Sequence, residues 1–470
     1  MKKIVALVLV CVLAISLWGC DGFGGTPELR VGYARERIMP ADGTPLGGYG
    51  NSDYRVTDGG FLDYLYTTCI AVTDQQDNTV LMITADLIVM NNDMLDVIER
   101  KVTEATGLPV ENLMIAATHT HSSPDVDYYS NGMIPIYWEL VAQQTAKAAV
   151  AALKDRMEAH MSIGTIDTEQ LNFVRHVELD DGTFAGDNFG DFTDREIVDY
   201  ESEADPQLQV LKFDREDGKD VVLANWQAHA TKTGGSSKTD ISADFIGSFR
   251  AYAEKSVDCL FAYFQGAAGN LNGRSYIEED DCTADYKIYG QLLAGYAKTC
   301  LDNNMKQIDV GQIKLKTMEY EAYVDHSDDK LVAEATLIKN YWNQTNDRLA
   351  AVEMGKEYGI NSPYHAMSII SNAARGETEK LTITAFSIGD ISFITAPYEM
   401  FDTQGMYIKN NTPFEMTFIM GYCDGSFSYI ASEIAYEHGC YEVDTGHFVK
   451  GTAEKLAQQY VQMLNEIKGE

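Results

Sequence analysis

"IAATHTHSSPD", Ile115–Asp125, carries a short apolar run into two histidines. With the residues before it, "NLMIAAT" reads as a buried strand. Alternation along a strand puts residues i and i+2 on one face, so His119 and His121 are expected to aim two imidazoles the same way at a strand end. A Ser-Ser-Pro turn follows. Such a pair is either the start of a metal site or two polar residues closing a strand. The choice depends on whether other strand ends supply more ligands.

The surroundings alternate between strand and helix. "LYTTCIAVTD" and "TVLMITADLIVM" are β-branched strands upstream, and "NDMLDVIERKVTEATG" is an amphipathic helix with Gly107 as its stop. "PIYWELVAQQTAKAAVAALKD" is a second helix. This pattern predicts an α/β (mixed α+β) fold of mixed sheets with covering helices. One large domain is expected over 29–470, with a helical insertion at about 327–377. Asp86 sits inside an apolar run, needs a partner, and reads as structural. The glycine-rich loop Gly43–Asn51 lacks the strand–helix context of a nucleotide site and is read as a place of close backbone approach. The acidic stretch Glu178–Asp205 reads as a solvated loop and a candidate lid.

Bulk properties narrow the function classes. The chain has 470 residues and a net charge of −35, which repels nucleic acid phosphates and leaves the oligomeric state open. Residues 1–20 have a basic start, an apolar stretch from Ile4 to Leu17 and a "LWGC" end, the layout of a bacterial signal peptide with a lipobox-like close. Residues 21–28 are then a tether, with Cys20 the lipid-bearing first residue of an exported, membrane-anchored lipoprotein on the extracytoplasmic side. Six cysteines remain, and Cys423 with Cys440 is the preferred disulfide, since both flank the last motif region. No Cys-x-x-Cys occurs, which argues against a thiolate zinc cluster.

Three apolar strands each end in a potential ligand: His119, His229 in "NWQAHAT", and Glu399 in "TAPYEMF". Two histidines and a carboxylate with an open position are a hydrolytic zinc set, with manganese or iron as other occupants. A bound ion would polarise a carbonyl and lower the pKa of its water from about 15.7 towards ~7.

These residues sit in recognisable contexts. "RVGYARERIMP…GGYGN", "THTHSSPD", "NFVRH", "DPQLQVL", "NWQAHAT", "FQGAAGNLN", "TAPYEMF" and "SYIASEIAYEHGCYEV" occur in that order. Together they resemble the N-terminal catalytic domain of the neutral/alkaline (non-lysosomal) ceramidase family. The resemblance implies Zn(2+) held by His119, His229, Glu399 and Tyr429, with His121 and Arg175 facing the substrate and the developing oxyanion. His176 is expected to be only a neighbour. Two departures stand out: Gly266 occupies the place of a family serine, and "ATKTGG" replaces the segment after the second histidine. The immunoglobulin-like C-terminal domain of that family is expected to be missing. The expectation is a zinc amidohydrolase acting on N-acylsphingosine or a related N-acyl lipid. Its rivals are a zinc hydrolase of another amide or ester, and a non-catalytic binding lipoprotein.

Overall fold

Leu29, Val31 and Tyr33 alternate along strand β1 (Leu29–Arg37) and turn to one buried side. The computed structural model describes residues 29–49, 55–127, 131–186, 195–235, 238–273 and 285–469. The expected signal segment and tether, and Cys282, lie outside the described residues. After β1 come β2 (Tyr66–Asp74), β3 (Thr79–Ala85), α1 (Asn92–Thr106), β4 (Leu113–Ala117), α2 (Met133–Lys154) and β5 (Met157–Asp167). Next are β6 (Asn172–Val174), β7 (His176–Leu179), β8 (Phe184–Gly186), β9 (Ile197–Tyr200), β10 (Gln207–Arg215) and β11 (Val221–Trp226). Helix α3 (Asp244–Val257), β12 (Leu260–Gln265), β13 (Leu271–Gly273), α4 (Tyr286–Asn303) and β14 (Lys306–Ile308) follow. Between β15 (Ile313–Tyr323) and β16 (Thr378–Ile388) lie α5 (Asp329–Thr345), α6 (Arg348–Gly355) and α7 (Pro363–Ala373). The chain ends through β17 (Ile391–Ala396), β18 (Glu399–Met400), α8 (Asp402–Asn411), β19 (Met416–Gly421), β20 (Tyr429–Ile430), α9 (Glu433–His438), α10 (Tyr441–Thr445) and α11 (Thr452–Gly469).

Among the described residues, nine strands form one mixed sheet in the order β12-β11-β10-β5-β1-β2-β3-β4, with β14 beside β5. A second sheet runs β15-β16-β17-β19. Val31, Ile70, Met82, Leu211 and Phe264 of the first sheet meet Phe386, Phe393 and Phe418 of the second in one apolar layer. Burying each such side chain contributes about 1.5–3 kcal/mol. The odd-even partners of those residues face outward. Cys69, Ala71, Leu81 and Ile83 pack against α1 and α2, and Val210, Ala224 and Tyr263 against α3 and α4. Ile383, Ala385, Ile394 and Ile419 meet α8 and α11, whose Leu456, Tyr460, Leu464 and Ile467 are all buried. The layers are therefore helix, sheet, sheet, helix. Among the described residues no helix is long and apolar enough to cross a membrane.

Asp86 is paired as a buried acid must be. Arg250 Nη2 donates to it at 2.7 Å and the Tyr66 amide at 2.9 Å. Two expectations are corrected. Cys423 and Cys440 are both free thiols. Cys423 is held where β19 turns to bridge Ala116, whereas Cys440 caps α10 beside His176 and Glu442. The acidic stretch is not simply a loop, because β7 pairs with both β8 and β9.

Candidate metal centre

The parallel pairs of the two sheets are β3 with β4, β11 with β12, and β17 with β19. Their carboxyl ends gather at one corner, the usual place for a site in such sheets. Backbone bonds stitch the corner together: Ala117 N–H to the Tyr422 carbonyl at 3.0 Å, Asp424 N–H to Ile115 at 3.0 Å, and His121 N–H to Ala230 at 3.0 Å. His119 and His121 lie just beyond β4 rather than on it. His119 has φ +64°, and Tyr422, Asp424 and Ser428 are also left-handed at +54°, +63° and +59°. Each such non-glycine residue costs about 1–3 kcal/mol, a strain that clusters where a site over-determines the backbone.

The histidines share one orientation. Nδ1 of His119 meets the Ile88 carbonyl at 2.7 Å, Nδ1 of His121 the Gly48 carbonyl at 2.9 Å, and Nδ1 of His229 the Ala268 carbonyl at 2.9 Å. A carbonyl only accepts, so each Nδ1 carries the proton and each Nε2 presents a lone pair. These Nε2 atoms turn towards one another, and all three lie within 4.8 Å. His119 Nε2 is 3.3 Å from His121 Nε2, and the Glu399 Oε2 oxygen is 3.3 Å from Nε2 of both His119 and His229. Burial and the neighbouring imidazoles hold His121 well below the ordinary histidine range, and burial brings His229 down to about 4. With each Nδ1–H spent on a carbonyl, the three Nε2 atoms and the Glu399 carboxylate converge with no proton donor among the four.

A cation resolves that conflict. A tetrahedral ion bound at ~2.0–2.2 Å holds neighbouring donor atoms about 3.3–3.6 Å apart, matching these contacts. Glu399 shares such an edge with His119 and with His229, and His121 shares one with His119. His119 and His229 are 2% and 1% exposed, while His121 is partly open to solvent.

Tyr429 reaches the cluster through an unexpected pairing. The two-residue strands β18 and β20 set Glu399 directly opposite Tyr429, and Tyr429 Oη lies 3.4 Å from His229 Nε2. Burial and the Glu399 charge push that phenol well above its ordinary range, so it keeps its proton. Arg175 Nη2 donates to Tyr429 Oη at 3.2 Å and to the Gly269 carbonyl at 3.0 Å. The expected residues His119, His121, Arg175, His229, Glu399 and Tyr429 are therefore all brought together.

Two residues were not anticipated. Tyr422 stacks on His119 with ring centroids 3.9 Å apart, and its hydroxyl is 3.3 Å from Glu399 Oε2. Glu442 pairs with both Arg175 and His176. His176 is thus part of a buried ion network rather than a bystander. Glu442 could have been flagged as an acid in the apolar end of the last motif, but Tyr422 had no such signal. Asn172, by contrast, only ties the backbone carbonyls of Asp205 and Gln227.

Two glycines matter here. A Cβ on Gly48 (φ +101°) would sit 2.6 Å from His121 Nδ1, so only glycine lets this loop support the imidazole. A Cβ on Gly266 would meet Gln227 Oε1 at 2.7 Å and the Trp226 carbonyl at 3.2 Å. The neighbours of Gly266 thus belong to the wall behind the cluster, not to the converging donors.

The family model for the neutral/alkaline non-lysosomal ceramidase, N-terminal, matches residues 31–268. That span holds His119, His121, Arg175 and His229, whereas Glu399 and Tyr429 lie beyond it. The fold is similar to the neutral ceramidase from Pseudomonas aeruginosa at 15% identity and a TM-score of 0.72, covering 95% of this chain and 75% of that one. It is also similar to a ceramidase complexed with C2, at 17% identity and a TM-score of 0.70, covering 94% of this chain and 76% of that one. No curated protein sequence matches the chain.

Proposed function

The chain belongs to the neutral/alkaline non-lysosomal ceramidase family, and from that membership we propose a zinc-dependent hydrolase that cleaves the amide of N-acylsphingosine or a related N-acyl lipid. The observation that carries the reading is the convergence of the His119 and His229 Nε2 atoms and the Glu399 carboxylate with no proton donor among the three. Those three side chains would hold the ion, with Tyr429 completing the set. When bound, zinc supplies a Lewis acid and lowers the pKa of a water towards ~7.

The protein's own groups do the rest. Arg175 presents a guanidinium beside the Tyr429 hydroxyl, and the two donors face charge developing on the carbonyl oxygen. His121 is the partly open imidazole, with its Nδ1–H fixed on Gly48. Its Nε2 takes a proton from the attacking water and delivers it to the departing nitrogen. The family serine has no counterpart at Gly266, so no step is assigned to one. Glycine at the place of the family serine favours a second reading, in which the same centre cleaves another amide or an ester.

A chain-length series of fluorogenic N-acyl amides, run beside matched esters, separates the two. The first reading expects turnover of long-chain amides. Ester hydrolysis with no long-chain amide turned over would support the second. Residues 1–28 carry the proposal of export and anchoring through Cys20. Cys20→Ala is expected to abolish lipid labelling and to move the protein out of the membrane fraction. Unchanged labelling would overturn that proposal.

A further inference from the structure

We propose that Glu442 is a positioning residue that fixes the Arg175 guanidinium against the Tyr429 phenol; the inference rests on the hydrolase reading above. Glu442 lies in α10 and is 0% exposed. One of its oxygens accepts Arg175 Nε at 2.6 Å and also pairs with Nη2. The other faces His176 Nε2 at 2.6 Å. His176 Nδ1 in turn faces Glu201 at 3.2 Å, and the second Glu201 oxygen faces His438 at 2.7 Å.

The carboxylate grips Arg175 along its Nε–Nη2 edge. Arg175 Nη2 still reaches the Gly269 carbonyl and Tyr429 Oη. Gly269 itself is locked, since a Cβ there would lie 2.6 Å from the Glu399 carbonyl. A guanidinium held through two of its nitrogens cannot swing about its own plane, and a planar fork is the group whose direction such a grip preserves. Direction matters because a donor aimed at developing charge must be in place before the charge appears. The outer members, His176, Glu201 and His438, hold Glu442 so that basic and acidic groups alternate along the buried row. A network needed only for burial would be replaceable by apolar side chains. This one ends on a phenol 3.4 Å from His229.

The test uses the zinc-loaded full chain and four variants: Glu442→Gln, Glu442→Asp, Arg175→Lys and the Glu442→Gln/Arg175→Lys double. Three quantities are read: steady-state kinetics on an N-acyl amide, zinc per chain, and calorimetric affinity for a tetrahedral phosphonate analogue of that amide. Glu442→Gln is expected to lower kcat and phosphonate affinity by about 10- to 100-fold, the cost of a misplaced catalytic group, with KM and zinc content near wild type. On the Arg175→Lys background the same change is expected to add less than about twofold, because both act through one group. Glu442→Asp keeps the buried charge but withdraws it by one methylene. It gives the same pattern at smaller size, and decides the matter where Glu442→Gln does not fold. The proposal is overturned by wild-type kcat and phosphonate affinity in either folded Glu442 variant, by losses that track zinc or folded protein, or by full additivity with Arg175→Lys. A wild-type chain that turns over no amide refutes the amidohydrolase reading, while the phosphonate titration still decides the role of Glu442.

Discussion

Among the described residues, two groups of side chains bring three metal-capable atoms within 4.8 Å of one another: His119, His121 and His229, and His176, Cys440 and Glu442. They differ in what the atoms face. In the first, backbone carbonyls take every Nδ1 proton, so lone pairs turn on one another and on Glu399. In the second, Arg175 and His176 already answer both oxygens of Glu442. Proximity of ligand-type residues therefore does not define a metal site; lone pairs turned on one another do. A guanidinium inside the second group would also repel a cation.

The largest expected effect falls on the first group. His229→Ala should remove bound zinc and lower kcat/KM by at least ~10³-fold, because the Lewis acid and the acidified water are lost together. Cys440→Ser in the second group should change neither. Elemental analysis and amide hydrolysis check both, and zinc lost from Cys440→Ser alone would reverse the comparison. Next in size is an ion pair whose side chains belong to neither group. Arg250→Ala leaves Asp86 buried and unpaired, which should cost about 3–5 kcal/mol in denaturant unfolding with zinc content unchanged.

Smaller effects sharpen the contrast within the site. Gly48→Ala pushes a methyl group towards His121 Nδ1, and should lower kcat by about 10-fold or more while zinc stays bound. Zinc lost in this variant would make His121 a ligand instead of a proton carrier. The smallest effect concerns the second group. The neighbouring Glu442 and Glu201 outweigh burial and hold His176 well above its ordinary range. A raised folded pKa stabilises the protein fully below the unfolded value of ~6.5, and that gain is lost as pH rises through the folded pKa. The stability advantage of wild type over His176→Asn, measured by denaturation, should therefore shrink from pH 6 to pH 10. An advantage that grows with pH would contradict this.

Much of this was legible in the residues. Strand ends pointed to His119, His229 and Glu399, and the apolar stripe of the last helix pointed to its buried face. Tyr429 came only from family resemblance, because its place depends on β18 pairing with β20 across distant parts of the chain. Local pattern does not encode such a pairing. Tyr422 was hidden for a related reason. It follows an apolar strand and reaches the cluster only through a left-handed backbone turn onto His119. The expected Cys423–Cys440 disulfide failed because closeness to one motif in sequence says nothing about the direction of two Cβ vectors. The acidic stretch was read as a loop because its strands are three or four residues long, too short for alternation to register.

The most direct test of the central claim is the zinc K-edge X-ray absorption spectrum of the zinc-loaded chain. The acceptor cluster predicts one zinc per chain with a first shell of only nitrogen and oxygen at ~2.0–2.2 Å, including at least two imidazoles. A sulfur scatterer at ~2.3 Å would place the ion on Cys440, and a chain that binds no zinc would remove the centre altogether.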